Sequence, residues 1–275
     1  MDPLQCGRFR LPLDRPLIMG IVNLTPDSFS GDGVGGDAAR AIDHAQAQLE
    51  AGADILDLGA ESTRPGAPPV TEKEELAQLL PVLRALRDAA VPLSVDTMKP
   101  AVMRAALAEG AAMINDIRAL TAPGALEAVA ASDAAVCLMH MQGEPGTMQQ
   151  SPHYADVVAE VFGFLEERAR DCEIGGIAHD RIVLDPGFGF GKTLEHNLAL
   201  LRALPELAVR GFPVLAGVSR KSMLGQITGK PVGVRVHASV AAALLAVQKG
   251  AAIVRVHDVA ATHDALAVLN AVEIV

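Results

Sequence analysis

Along this chain a short apolar run recurs eight times, nearly always stopping at a polar side chain, and all but one of the runs give way to a stretch of helical spacing. The runs are 17–22, 54–58, 92–95, 112–117, 135–140, 182–185, 214–218 and 252–256. Helical patterns are predicted over 38–51, 72–89, 100–109, a short piece from Gly124, 154–172, 234–249 and 261–272. Strict strand–helix alternation demands a parallel sheet, because each crossover lays its helix on the sheet face. Eight units are the number that closes a barrel, so the sequence predicts a (β/α)8 TIM barrel, one domain over residues 1–275. An open doubly wound sheet is the alternative, and it would need a glycine fingerprint for phosphate.

That fingerprint is sought in Arg181–Thr193, RIVLDPGFGFGKT, and it fails there. A Walker loop needs four residues between its first Gly and Gly-Lys, whereas Gly187 and Gly191 enclose three. In the dinucleotide motif the third Gly would come one residue later. What remains is a strand that carries Asp185 to a loop of alternating glycine and phenylalanine, suited to lying against a ligand.

Composition narrows the class. With 23 basic and 33 acidic residues the net charge is −10, which argues against a nucleic-acid partner. Cys6, Cys137 and Cys172 lie far apart, so neither a disulfide framework nor a zinc site is expected. No apolar run reaches the ~20 residues that span a bilayer, and the N-terminus lacks a signal-peptide core. The expectation is a reduced, cytoplasmic enzyme with no membrane partner.

In such a barrel, reactive groups project from the C-terminal strand ends. Here those ends carry Asn23, Asp96, Asn115, Asp185, Ser219 with Lys221, Arg255 and His257. Any one of them could simply cap a helix, but the repetition around the barrel points to a site. Arg64, Arg255, His257, the Ser62 and Thr63 hydroxyls and Asn23 suit an anionic, diphosphate-like group, with Mg2+ rather than zinc. Asp96, Asn115, Asp185 and Lys221 could read the edge of a flat, amidine-like heterocycle. Aromatic residues are only 3% of the chain, yet Phe29, Phe188 and Phe190 sit in these loops. Core packing is the alternative for each, foremost for Phe188.

The segments GIVNLTPDSFS (20–30), ESTRPGA (61–67), SVDT (94–97), NDI (115–117), DPGFGFGKT (185–193), SRKSM (219–223) and RVHDV (255–259) together resemble dihydropteroate synthases. The resemblance implies a TIM barrel that condenses 6-hydroxymethyl-7,8-dihydropterin diphosphate with p-aminobenzoate, releases pyrophosphate, and is inhibited by sulfonamides. It implies Mg2+ on Asn23, and diphosphate on Asn23, Thr63, Arg64, Arg255 and His257. It implies pterin against Asp96, Asn115, Ile117, Met139, Asp185, Lys221 and Arg255. It implies p-aminobenzoate against Phe29, Ser62, Thr63, Arg64, Pro65, Phe190 and Ser219. Catalysis would fall to Asp96, Lys221 and Arg255 in a dissociative displacement, and a homodimer through outer helices is expected. A methyltetrahydrofolate–corrinoid methyltransferase would share the pterin barrel but leaves ESTRPGA and SRKSM unexplained. A catalytically silent paralogue is opposed by the presence of Asn23, Arg64, Lys221 and Arg255. A non-pterin barrel with a phosphate site leaves the phenylalanine-rich loop without a purpose.

Overall fold

The structure, a computed structural model, describes residues 2–25, 38–62 and 69–273. A small antiparallel hairpin, β1 (Leu4–Cys6) and β2 (Phe9–Leu11), precedes the sheet. The sheet strands are β3 (Leu17–Asn23), β4 (Ile55–Gly59), β5 (Leu93–Asp96), β6 (Met113–Asp116), β7 (Ala135–Met139), β8 (Ile182–Asp185), β9 (Leu215–Ala216) and β10 (Ile253–Val256). All neighbours pair in parallel in the order β8-β7-β6-β5-β4-β3-β10-β9. A bridge between Leu184 and Val214 joins the two ends of that order, so the sheet closes into the predicted (β/α)8 barrel.

The helices are α1 (Ala38–Glu50), α2 (Glu72–Leu86), α3 (Pro100–Ala108), α4 (Ala125–Ala130), α5 (Val157–Ile174), α6 (Leu194–Ala208), α7 (Ser222–Thr228), α8 (Val236–Gln248) and α9 (Val259–Glu273). Capping sets several of their starts. Thr71 and Glu74 form a reciprocal capping box on α2, and Asp156 accepts two N–H groups at the head of α5.

Side-chain alternation splits the strands into two apolar layers. Ile18, Leu56, Val95, Ile114, Val136, Leu184 and Val254 face outward and pack under the helices. Leu17, Met19, Ile55, Met113, Cys137, Val183, Leu215 and Ile253 face inward and fill the barrel. The strands therefore read as continuous apolar runs, as doubly buried strands do.

Three differences from the sequence pattern have physical reasons. Residues before β3 have the composition of a polar lead-in, yet Leu4 and Cys6 are buried against the inner layer at the N-terminal end of the barrel. The hairpin turn is at Gly7, whose N–H donates to the Asp133 carbonyl at 3.1 Å. Helix α6 escapes the pattern, although Thr193 caps it and His196 closes the box in place of the usual Glu. Strand β9 is shorter than the predicted 214–218, because after Ala216 the chain leaves the ladder and turns into the barrel mouth.

Candidate active site

Towards the C-terminal end of the barrel the inward apolar layer gives way to charge. Asp57 from β4, Asp96 from β5, Asn115 from β6, Asp185 from β8 and Arg255 from β10 replace it. Above them opens a cavity of about 750 Å3. Its wall brings together Asn23, Ser62, Asp96, Asn115, Ile117 and Met139 with Asp185, Phe190, Ser219, Lys221, Arg255 and His257. Twelve predicted site residues thus converge from the strands or their loops. Phe29, Thr63, Arg64 and Pro65 lie outside the described residues.

The floor is one ionic network. The Arg255 Nε donates to Asp57 Oδ2 at 2.5 Å and its Nη2 to Asp96 Oδ2 at 2.8 Å. Asn115 Nδ2 donates to Asp57 Oδ2 at 3.2 Å, and the Ser94 hydroxyl to Asp57 Oδ1 at 2.6 Å. Burial works against the charge on Arg255, but Asp57 and Asp96 outweigh it and raise its pKa. Burial pushes Asp96 up to about 7 against the opposing pull of Arg255. Asp185 is raised as well, again chiefly by burial. Two acid groups with raised pKa beside a fixed guanidinium mark a functional site, and in their ionised form they can read donors and meet a developing cation.

Adjacent residues on β6 show how alternation separates a site group from a structural one. Asn115 faces the cavity. Asp116 faces outward and accepts from the Arg118 and Leu120 N–H groups, both at 2.8 Å, fixing the turn in which Ala119 and Leu120 take positive φ. Asp116 is therefore structural, closing a turn as any strand-end carboxylate could have done.

The glycine–phenylalanine loop is held from beneath by a buried lysine. Lys192 Nζ lies within 3.2 Å of four acceptors, the carbonyls of His140, Gly187 and Phe190 and the His140 Nδ1. Burial lowers its pKa to about 7, whereas that many acceptors favour the ammonium. Close packing explains the glycines. A Cβ at Gly187 (φ +69°) would lie 1.9 Å from the His140 carbonyl oxygen, and one at Gly191 (φ +61°) 2.5 Å from that of Gln142. Phe188 is buried in the outer core, as the packing alternative requires. Phe188 and Phe190 both contribute to the cavity wall, and Lys221 Nζ lies 4.1 Å from the Phe190 ring centroid.

The loop after β9 is fixed by Arg220, a non-glycine residue at φ +58°. Its N–H donates to Ser239 Oγ at 2.9 Å, and its guanidinium grips Asp258 at 3.1 and 2.7 Å. This strained turn points Ser219 and Lys221 into the cavity. Ser219 Oγ lies 3.0 Å from His257 Nδ1, coupling β9 to β10 at the mouth.

Across the cavity, Glu61 pins the segment that follows β4. It accepts from the Val70 N–H at 3.1 Å and from Lys99 Nζ at 2.7 Å, while Lys99 also reaches buried Glu75 at 2.6 Å. Asn23, at the end of β3, offers a hard oxygen at the rim. Among the described residues no cluster of three His, Cys, Asp or Glu could hold an ion alone. Sequence reasoning passes over Asp57, Lys192 and Glu61, and over Gln149, which lines the cavity and donates to the Gly189 carbonyl. Asp57 carries a signal, a carboxylate inside an apolar strand.

Comparison with known proteins bears on what this cavity is. Residues 19–257 match the pterin binding enzyme family. The dihydropteroate synthase of Neisseria meningitidis serogroup B is 55% identical over 277 residues, covering 98% of this chain and 97% of its own. The chain belongs to the dihydropteroate synthases. A Burkholderia cenocepacia synthase complexed with 7,8-dihydropteroate superposes with a TM-score of 0.91 at 56% identity, covering 98% of this chain and 96% of its own. The Xanthomonas albilineans synthase with 4-aminobenzoic acid does so with a TM-score of 0.93 at 54% identity, over 100% of both chains. Near-complete coverage by synthases disfavours the methyltransferase alternative.

Proposed function

We propose that this chain joins 6-hydroxymethyl-7,8-dihydropterin diphosphate to p-aminobenzoate, giving 7,8-dihydropteroate and pyrophosphate, in the cavity at the barrel mouth. The observation that carries the reading is one wall holding two kinds of group. An edge of half-buried Asp96 with buried Asn115 and Asp185 lies beside a cationic and hydroxylic rim of Lys221, Arg255, His257 and Ser219. The first suits the donors of a pterin ring, and the second an anionic leaving group.

Asp185 and Asn115 bind the pterin edge, Ile117 and Met139 line its faces, and Lys221 with Arg255 meets its remaining polar atoms. Arg255, His257 and Asn23, with Thr63 and Arg64, receive the diphosphate. Phe190, Ser62 and Ser219, with Phe29, Thr63, Arg64 and Pro65, receive p-aminobenzoate. The C–O bond to diphosphate breaks first, and the Asp96 carboxylate stabilises the pterin methylene cation. The aniline nitrogen then attacks that carbon and loses a proton. Mg2+ would be held by the Asn23 side-chain oxygen together with substrate oxygens and water, the hard-oxygen ligands this ion prefers. When bound it neutralises the leaving group's charge.

We read residues 1–275 as one domain working in the cytoplasm, which fits three buried cysteines that are all unpaired. No helix among the described residues is long and apolar enough to cross a membrane. A homodimer through outer helices is supported by Leu245 on α8 and by Val268 and Val272 on α9, all exposed. Light scattering of the purified chain tests it. For the reaction, both substrates are incubated with Mg2+ and 7,8-dihydropteroate is sought by mass spectrometry. Its absence overturns the proposal.

A further inference from the structure

Asp57 is wholly buried and does not line the cavity, yet it bonds two residues that do. Its Oδ2 accepts from Arg255 Nε at 2.5 Å and from Asn115 Nδ2 at 3.2 Å, and its Oδ1 from the Ser94 hydroxyl at 2.6 Å. We propose that Asp57 is the positioning residue of the pterin pocket, fixing the plane of the Arg255 guanidinium and the orientation of the Asn115 amide. The inference rests on the pterin reading of this cavity.

The orientation follows from donor and acceptor chemistry. A carboxylate paired with a guanidinium only accepts, so Asn115 must turn its NH2 towards Asp57. Its carbonyl oxygen then faces the other way, into the cavity, where it recognises an N–H and rejects a carbonyl. Released from Asp57, the same amide could flip and offer the opposite pattern. Arg255 is constrained likewise: with Nε on Asp57 and one Nη2 proton on Asp96, its plane is set before any ligand arrives. One carboxylate thus decides both what the pocket reads and how its cation is presented.

The network also predicts which replacement is tolerated. In Asp57→Asn, the amide oxygen can keep both Arg255 and Asn115, while its NH2 donates to Ser94, whose hydroxyl reverses from donor to acceptor. In Asp57→Ala nothing holds either side chain.

The test is titration calorimetry of a 6-hydroxymethylpterin probe against wild type, D57A, D57N, N115A and D57A/N115A, with pyrophosphate titrated in parallel. D57A should lose at least about tenfold in pterin affinity, and D57N should stay within about threefold. The D57A and N115A losses should combine less than multiplicatively, because Asp57 acts partly through Asn115. Pyrophosphate affinity should fall along with pterin affinity in D57A, because Arg255 also serves the diphosphate; a merely structural carboxylate would instead lower the affinities only in step with melting temperature, without rescue by D57N. Wild-type pterin affinity in folded D57A, or multiplicative losses, overturns the inference. A wild type that binds no pterin overturns the functional reading instead. Should D57A not fold, the pterin-free wild type decides: the Arg255 Nε–H resonance should be protected from exchange. Exchange like that of a free arginine overturns the inference.

Discussion

Asp185→Asn keeps the size of the side chain and changes one acceptor into a donor. In the structure Asp185 Oδ1 is already taken, accepting from the Gly187 N–H at 2.7 Å. Oδ2, at the cavity wall beside Gly217, is the oxygen a ligand would meet. The amide has two settings. With its oxygen on Gly187 its NH2 faces the N–H of the pterin edge, and when flipped its NH2 faces the Gly187 N–H instead. Either way a buried donor meets a donor, and the charge that strengthened the wild-type bond is gone. The mismatch costs about 1–3 kcal/mol and a charge-assisted bond about 1.5–3 kcal/mol; they overlap, giving about 2–3 kcal/mol, or roughly 30- to 150-fold in affinity. Calorimetry with a pterin probe measures this, with thermal melting as the check on folding. A folded D185N that binds within about threefold of wild type would show that Asp185 does not read the pterin, and the edge assignment would fall with it.

Three further outcomes are expected. Arg255→Ala should weaken pyrophosphate and pterin together, by about 1.5–3 kcal/mol each; a pyrophosphate affinity left unchanged would confine Arg255 to the pterin. Burial holds Asp96 near a pKa of about 7, so kcat/KM should climb from about pH 6 to about pH 8 as the carboxylate forms, and D96N should be low and flat across that range. Because this folded pKa lies above the unfolded value of about 3.9, the Asp96 contribution to stability is present below pH ~4 and is lost as pH rises towards ~7. Lys99→Met leaves Glu61 and buried Glu75 facing each other without a cation. It should cost about 3 kcal/mol of stability and weaken p-aminobenzoate binding, whereas Lys99→Arg should retain both; unchanged melting in K99M would refute the clamp.

The barrel is legible because doubly buried parallel strands write themselves as apolar runs, and because site groups sit where those runs end. Alternation even sorts Arg255 with His257 and Asp185 with Val183. What is not legible depends on contacts that no local pattern carries. Leu4 and Cys6 belong to a hairpin only because the barrel floor needs covering. Helix α6 begins on a capping box whose N3 member is His196, a residue not associated with that role. Lys192 has the look of a failed phosphate loop, and its work is to gather carbonyls from two loops distant in sequence. Asp57 is hidden for a different reason. It lies two positions before its strand end, between Leu56 and Leu58, and it acts on the cavity only through its neighbours.

The central claim is that one cavity takes two substrates and expels pyrophosphate. It is tested most directly by the rate of pyrophosphate release with Mg2+ present and each organic substrate omitted in turn. The account predicts sustained release only when pterin diphosphate and p-aminobenzoate are both supplied. Release at the same rate without p-aminobenzoate, or none with both present, would contradict it.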